Sequence, residues 1–225
     1  MADLINTLLV AVLALNLFAL GTSRIQSVIR IVAAQGAILG LVTLLMHESP
    51  SFPVLLSAVA AVAIKGVLIP AIMLRSLRSA DIKREVEPFI GFLPSILLGA
   101  AATAAALLVA QALSASGAAP AVPVSSEMPT AVPGLVIPAA IATVIVGFLI
   151  LVSRYKAITQ VLGYLVLENG IYIFGTLLVE AIPLVVEMGM LLDLFVGIFV
   201  ISIITNHVNQ AFSSMDTRRL VSLKE

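Results

Sequence analysis

Residues 133–156 read PGLVIPAAIATVIVGFLILVSRYK. From Pro133 to Ser153 no side chain ionises, and then Arg154 and Lys156 follow at once. A helix needs about 20 apolar residues to cross a hydrocarbon core of roughly 30 Å, and this run supplies them. Basic residues immediately after a span mark its cytoplasmic end. The alternating polarity of a membrane β-strand is absent, so the segment is a transmembrane helix.

Reading outward from it, six further stretches have the same character: 4–22, 26–47, 52–74, 89–114, 157–180 and 182–206. The expected fold is all-α, a polytopic membrane helix bundle of about seven transmembrane helices. Of 225 residues 61% are hydrophobic and 11% charged, and the mean hydropathy is +1.19. A soluble domain runs at about 45–50% apolar and about 25% charged, which excludes a soluble enzyme and a nucleic-acid binder. There is no cysteine, so disulfides, thiolate-held clusters and C-x-x-C redox chemistry are excluded as well.

The bases give the expected orientation. With the N-terminus outside, Arg24, Arg30, Arg75, Arg78, Lys83, Arg84, Arg154, Lys156, Arg218, Arg219 and Lys224 all fall on the inner side. They are eleven of the twelve bases, and the twelfth, Lys65, lies within a span. Asp3 stands where a signal peptide needs a base, so the first span reads as a retained anchor. The topology is N-out and C-in. Four regions follow: an N-terminal transmembrane half over 1–113, an external Pro/Ala/Ser-rich linker over 114–132, a C-terminal transmembrane half over 133–207, and a cytoplasmic tail over 208–225. A faint duplication links the halves, since Ser23-Arg24 precedes spans 2 and 3 as Ser153-Arg154 precedes spans 6 and 7. The Ala/Gly-rich run of span 4 admits a close helical neighbour.

Four ionisable groups lie at membrane depth: Lys65, Glu168, Glu187 and Asp193. Each costs about 2.5–3.5 kcal/mol at a helix centre on insertion scales, so each calls for a reason. Burial disfavours the charged form of a carboxyl, which makes such a group a natural proton carrier. Glu187 and Asp193 are six residues apart, offset by about 120° around a helix, and share no tight face. Pro70, five residues after Lys65, removes a backbone donor and is expected to bend span 3. Gln35 and Asn169 add polar amides at similar depth. Alternatively, a buried Lys–acid pair only fixes helix register. The remaining charges are expected to be ordinary solvated residues in loops and at helix ends. His47 and His207 fall at opposite membrane borders and cannot meet, so no metal site is expected. No nucleophile–base set or phosphate loop appears either.

The run Gln160-Val-Leu-Gly-Tyr-Leu-Val-Leu-Glu168-Asn169-Gly170, followed by Pro183-x-x-Val-Glu187-x-Gly189 and Asp193, resembles the hydrogenase-4 membrane component E family. So do Lys65-x-Val-Leu-Ile-Pro70-x-Ile-Met73 and Leu220-x-x-Leu-Lys224, essentially from end to end. That family is similar to the K subunit of respiratory complex I and the C subunit of multisubunit cation/proton antiporters. The resemblance implies two K-subunit-like halves, with Glu168 and Asp193 at the places of the two membrane acids. Gln35 and Lys65 take the corresponding places in the N-terminal half. It further implies a membrane-arm subunit of a complex I-like hydrogenase, non-catalytic by itself, in a bacterial or archaeal cytoplasmic membrane. The partners implied are antiporter-like membrane subunits, a quinone-site-like membrane subunit and peripheral hydrogenase subunits. Cofactors, nickel–iron and iron–sulfur centres, would belong to those partners and none to this chain. Proton or sodium translocation would run through Glu168, Asp193, Lys65 and Glu187, with Gln35 and Asn169 in support. A scaffold role in the same complex, a multisubunit antiporter component and a stand-alone carrier are the alternatives.

Overall fold

The computed structural model describes residues 1–47, 52–79, 89–115 and 134–177, and all regular structure among them is helical. Helices α1 (Ala2–Gly21) and α2 (Ile25–Leu45) are followed by α3 (Phe52–Ala60) and a π-helical segment (Ala61–Leu68). Then come α4 (Ile69–Ser79), α5 (Phe92–Ala115), α6 (Val136–Ser153) and α7 (Ala157–Gly175). Among the described residues, five helical stretches are long and apolar enough to cross a membrane: Ala2–Gly21, Ile25–Leu45, Val54–Arg75, Phe92–Leu113 and Val136–Ser153. They coincide with the first five expected spans to within a few residues. The sixth expected span is the helix α7, whose apolar run is diluted by Gln160, Glu168 and Asn169. The seventh, 182–206, lies outside the described residues, as do the linker beyond residue 115 and the tail.

Proline placement shows how local chemistry sets these boundaries. Pro53, Pro70, Pro94 and Pro138 each fall in the first turn of an α-helical segment. For Pro53, Pro94 and Pro138 the backbone N–H there has no intrahelical acceptor, so its loss costs little, whereas Pro70 follows helical residues directly and removes a donor within the span. Span 3 therefore becomes two α-helical pieces joined through the π-helical segment, with Pro70 opening the second. Immediately before Pro70 the backbone is π-helical: the Ile69 N–H reaches back five residues to the Ile64 carbonyl. π-Helical turns are rare and concentrate at functional sites.

The order of contacts gives the topology. Ile5, Leu9, Val12, Leu39, Val42, Met46, Val136, Ala139, Ala140, Ile173 and Leu177 form one apolar cluster. Ala19, Leu20, Ile25, Val28, Ile29, Val32, Met73, Val146, Ile150, Leu162 and Val166 belong to a second. The beginnings of α1 and α6 thus share one end of the bundle with the ends of α2 and α7. Helices α1 and α6 run parallel, and so do α2 and α7. Arg24 and Arg154 both adopt extended backbone between the paired helices, with φ/ψ of −99/116 and −118/138. The duplicated Ser-Arg pairs thus occupy equivalent turns.

Glycine notches bring backbones together where side chains would not fit. A Cβ on Gly147 of α6 would collide with the backbone of Leu167 in α7. One on Gly36 of α2 would lie 2.8 Å from the Lys65 carbonyl carbon. Lipid offers helices no hydrophobic drive to associate, so such close packing supplies much of the adhesion. Helix α5 is the least enclosed: Leu93, Leu97, Leu98, Leu108 and Val109 are exposed. Its Gly99 notch meets Leu17 and Leu20 of α1 and Val146 of α6. The outer surface bears many further exposed large apolar side chains, among them Phe18, Phe52 and Phe148. A soluble monomer rarely presents such patches, and a lipid-facing one does.

Gly147→Val should destabilise the protein in detergent by about 1–3 kcal/mol or more, the usual cost of overpacking a tight contact. Gly134→Val, where nothing lies within 4 Å of the added Cβ, should leave the melting temperature unchanged. Equal melting temperatures for the two variants would contradict the packing account.

Candidate functional site: a buried polar layer around Lys65 and Glu168

Between the two apolar clusters lies a layer that does not belong to either. It contains Asn16 of α1, Gln35 of α2, Lys65 of the π-helical segment, Thr143 of α6, and Glu168 and Asn169 of α7, all buried. Lys65 sits midway along its apolar stretch Val54–Arg75, and Gln35 midway along Ile25–Leu45. The layer therefore cuts the bundle near half height.

Its charged part is one ion pair. Lys65 Nζ stands 3.3 Å from Glu168 Oε1, and each residue is 3% exposed. The π-helical segment presents the lysine, and Gly36 lets α2 press against that segment's backbone. Lys65 Nζ also stacks over the Tyr172 ring, 4.9 Å from its centre. Glu168 and Tyr172 are four residues apart, hence neighbours on one face of α7. Desolvating two charges is costly, and only close pairing with added polar contacts offsets the cost.

Its uncharged part is a ladder of amides crossing four helices. Asn169 Nδ2 donates to Gln35 Oε1 at 3.3 Å, and Gln35 Nε2 donates to Asn16 Oδ1 at 2.8 Å. Asn16 Nδ2 then donates to Thr143 Oγ1 at 2.8 Å. Gln35 and Asn16 each use their acceptor and a donor, and Asn169 a donor, which defines the relative height of α1, α2, α6 and α7. One helical turn further, the Tyr172 hydroxyl meets Thr43 Oγ1 at 3.1 Å and the Ser57 carbonyl at 3.3 Å.

The structure brings together Lys65, Glu168, Asn169 and Gln35, as far apart in sequence as they are. Glu187 and Asp193 lie outside the described residues. Asn16, Thr143, Thr43 and Tyr172 escaped sequence reasoning because an uncharged polar side chain carries little cost in a span and so no distinct signal.

Arg154 corrects an expectation. Instead of an ordinary solvated base it is 1% exposed. Its Nη2 donates to the Leu20 carbonyl at 3.0 Å, at the end of α1, and its guanidinium lies over the Phe92 ring. Burial pulls its pKa below the ordinary arginine value. Its own carbonyl accepts from Gln160 Nε2 at 3.0 Å, so the residue ties α1, α5 and α7 into one corner. The planar fork suits a carbonyl and an aromatic face at once, and a lysine would not reproduce it.

Removing one member of the ion pair leaves the other buried without its charge partner, a loss of about 3–5 kcal/mol in comparable sites. Lys65→Met and Glu168→Leu should each lower unfolding stability by that order, and the double variant should recover most of the loss. Additive losses in the double variant would show that the pair does not couple the two helices.

The chain is 28% identical over 206 residues to the uncharacterized protein Rv0085 of Mycobacterium tuberculosis, covering 89% of this chain and 87% of that protein. Over 80 residues it is 28% identical to hydrogenase-4 component E of Escherichia coli K12 and of Shigella flexneri. That match covers 36% of this chain and 37% of the relatives, a narrower extent than the end-to-end resemblance expected from the motifs. No protein-family model matches the chain, and no solved structure does.

Proposed function

We propose that the chain is a membrane-arm subunit of a complex I-like hydrogenase, coupling redox events in peripheral subunits to movement of protons or sodium ions. The observation that carries this reading is the Lys65–Glu168 pair, two opposite charges enclosed at half height among apolar helices. Charges inside membrane spans are costly and mark ion or proton pathways far more often than passive packing. The partial similarity to hydrogenase-4 component E supports the kind of complex. The matched stretch is about a third of each protein, so the assembly belongs to the proposal and not to the comparison.

In this reading a change of charge beside the chain alters the balance between the paired state, carboxylate against ammonium, and a state in which Glu168 has taken a proton. Lys65 passes the change on as field or as proton. Asp193 and Glu187 extend the relay through the last expected span. Antiporter-like subunits, a quinone-site-like subunit and the peripheral hydrogenase subunits are the neighbours, in a bacterial or archaeal cytoplasmic membrane. The nickel–iron and iron–sulfur chemistry is theirs. This chain supplies no thiolate to hold a cluster and is not the catalyst.

A second reading has its own observation. The amide ladder joins four helices with no titratable member, as expected of a scaffold whose polar layer specifies register. Pumping by inverted vesicles separates the two. Glu168→Gln and Asp193→Asn should assemble normally and lose proton pumping while hydrogenase turnover continues. Normal assembly with undiminished pumping overturns the relay, and failure to assemble favours the scaffold.

A further inference from the structure

Resting on the reading of the chain as one subunit of a membrane complex, we propose that the outer stripe of α2 is a docking surface. Its occupant is a transmembrane helix of a neighbouring subunit, which presents a carboxylate to Arg30 and seats its backbone against Ala34 and Ala37.

The stripe is defined by what α2 leaves uncovered. Between Ile25 and Leu45 the exposed residues are Arg30, Ala34, Ala37 and Leu41. Their spacing of four, three and four puts them in one line along a single helix face. The other faces of α2 pack against α1, the π-helical segment and α7. Gly66 shows where the line runs. A Cβ added to it would lie 3.5 Å from the Ala37 nitrogen and 3.7 Å from the Ala33 carbonyl oxygen. The stripe therefore borders the seam between α2 and the segment that carries Lys65.

Arg30 is the residue that calls for a partner. It lies five residues from Gln35 of the buried layer, about 7.5 Å along the helix. Half of a hydrocarbon core is about 15 Å, so the Arg30 backbone sits well below the membrane surface. Among the described residues no carboxylate or carbonyl pairs with its guanidinium. A lone cation at that depth is costly. The planar fork takes a carboxylate through two parallel hydrogen bonds, and an acid on an adjoining helix offsets the cost within the membrane.

The alanines favour a helix over lipid. A helical side chain leans toward the N-terminus, so Arg30 reaches toward the end of the bundle where Arg24 lies, and a lipid phosphate is the competing partner. Acyl chains accept bulky apolar surface, and the exposed faces of α3 and α6 offer it in Leu55, Leu56, Ile145 and Phe148. Beside Arg30, Ala34 and Ala37 instead lower the surface to the backbone, the feature that lets two membrane helices approach closely. Helix α5 also exposes alanines, at 100, 101, 104 and 105. No charge accompanies those, so they single out no partner.

The test is photo-cross-linking from a single thiol, for which the chain is suited because it has no cysteine of its own. Ala34→Cys, with Phe148→Cys as the lipid-facing control, is produced in the full chain with its native neighbours, labelled with benzophenone maleimide and irradiated in the membrane. Ala34→Cys should give an adduct with a membrane protein whose captured helix, identified by mass spectrometry, carries Asp or Glu within about two turns. Adding Arg30→Glu should reduce that adduct about tenfold or more, since like charges brought face to face suppress a contact. Changing the partner's acid to Arg should then restore it. If Arg30→Glu prevents insertion, Arg30→Gln reads the same loss at smaller size. An adduct that neither substitution reduces overturns the proposal, as does a loss that the exchanged charge does not restore. Adducts with lipid alone, or with a second copy of this chain, while neighbours still co-purify, overturn the docking surface and leave the subunit reading. A chain that purifies from its native membrane without neighbours overturns both.

Discussion

Everything in this bundle is arranged around the requirement that Lys65 and Glu168, if charged within a membrane, be charged together. Two lone charges would be intolerable in the apolar surroundings that α1, α2, α6 and α7 provide. A close pair, 3.3 Å apart, is tolerable when the protein holds it. The π-helical segment carries the lysine. Gly36 admits that segment against α2, and Gly147 draws α6 onto α7 beside the glutamate. The amide ladder then maintains the height at which the carboxylate meets the ammonium.

The division into an ion pair and an amide ladder is also a division of physical roles. Carboxamides have donors and acceptors that do not interchange, so a ladder of them specifies one alignment of helices. An ion pair between a carboxylate and an ammonium, by contrast, contains a proton that chemistry allows to change owner. Both kinds occupy the same buried layer, and they share α7. Arg154 supports the arrangement from a distance, anchoring the end of α1 against the turn between α6 and α7.

The helices were legible in the sequence because apolar length is a one-dimensional property. Twenty residues such as those before Arg154 need no knowledge of their neighbours. Lys65 and Glu168 were legible singly, since the cost of a charge in a span belongs to the residue. Their pairing was not, because it depends on the register between two segments a hundred residues apart. Pro70 announced a break in span 3, but not that the break would be π-helical. Arg154 was misjudged because its charge follows a span, where solvent is the ordinary partner, and only the fold places the Leu20 carbonyl there. Tyr172 and Thr43 gave no signal, as hydroxyls are common in membrane helices.

The central claim is that Glu168 is a carboxylate paired with Lys65 at rest and takes a proton during turnover. Infrared difference spectroscopy of the intact complex reads this directly. The account predicts a protonated-carboxyl band that is absent at rest, grows under turnover and vanishes in Glu168→Gln. A spectrum without that band, or with one that Glu168→Gln leaves unchanged, would contradict it.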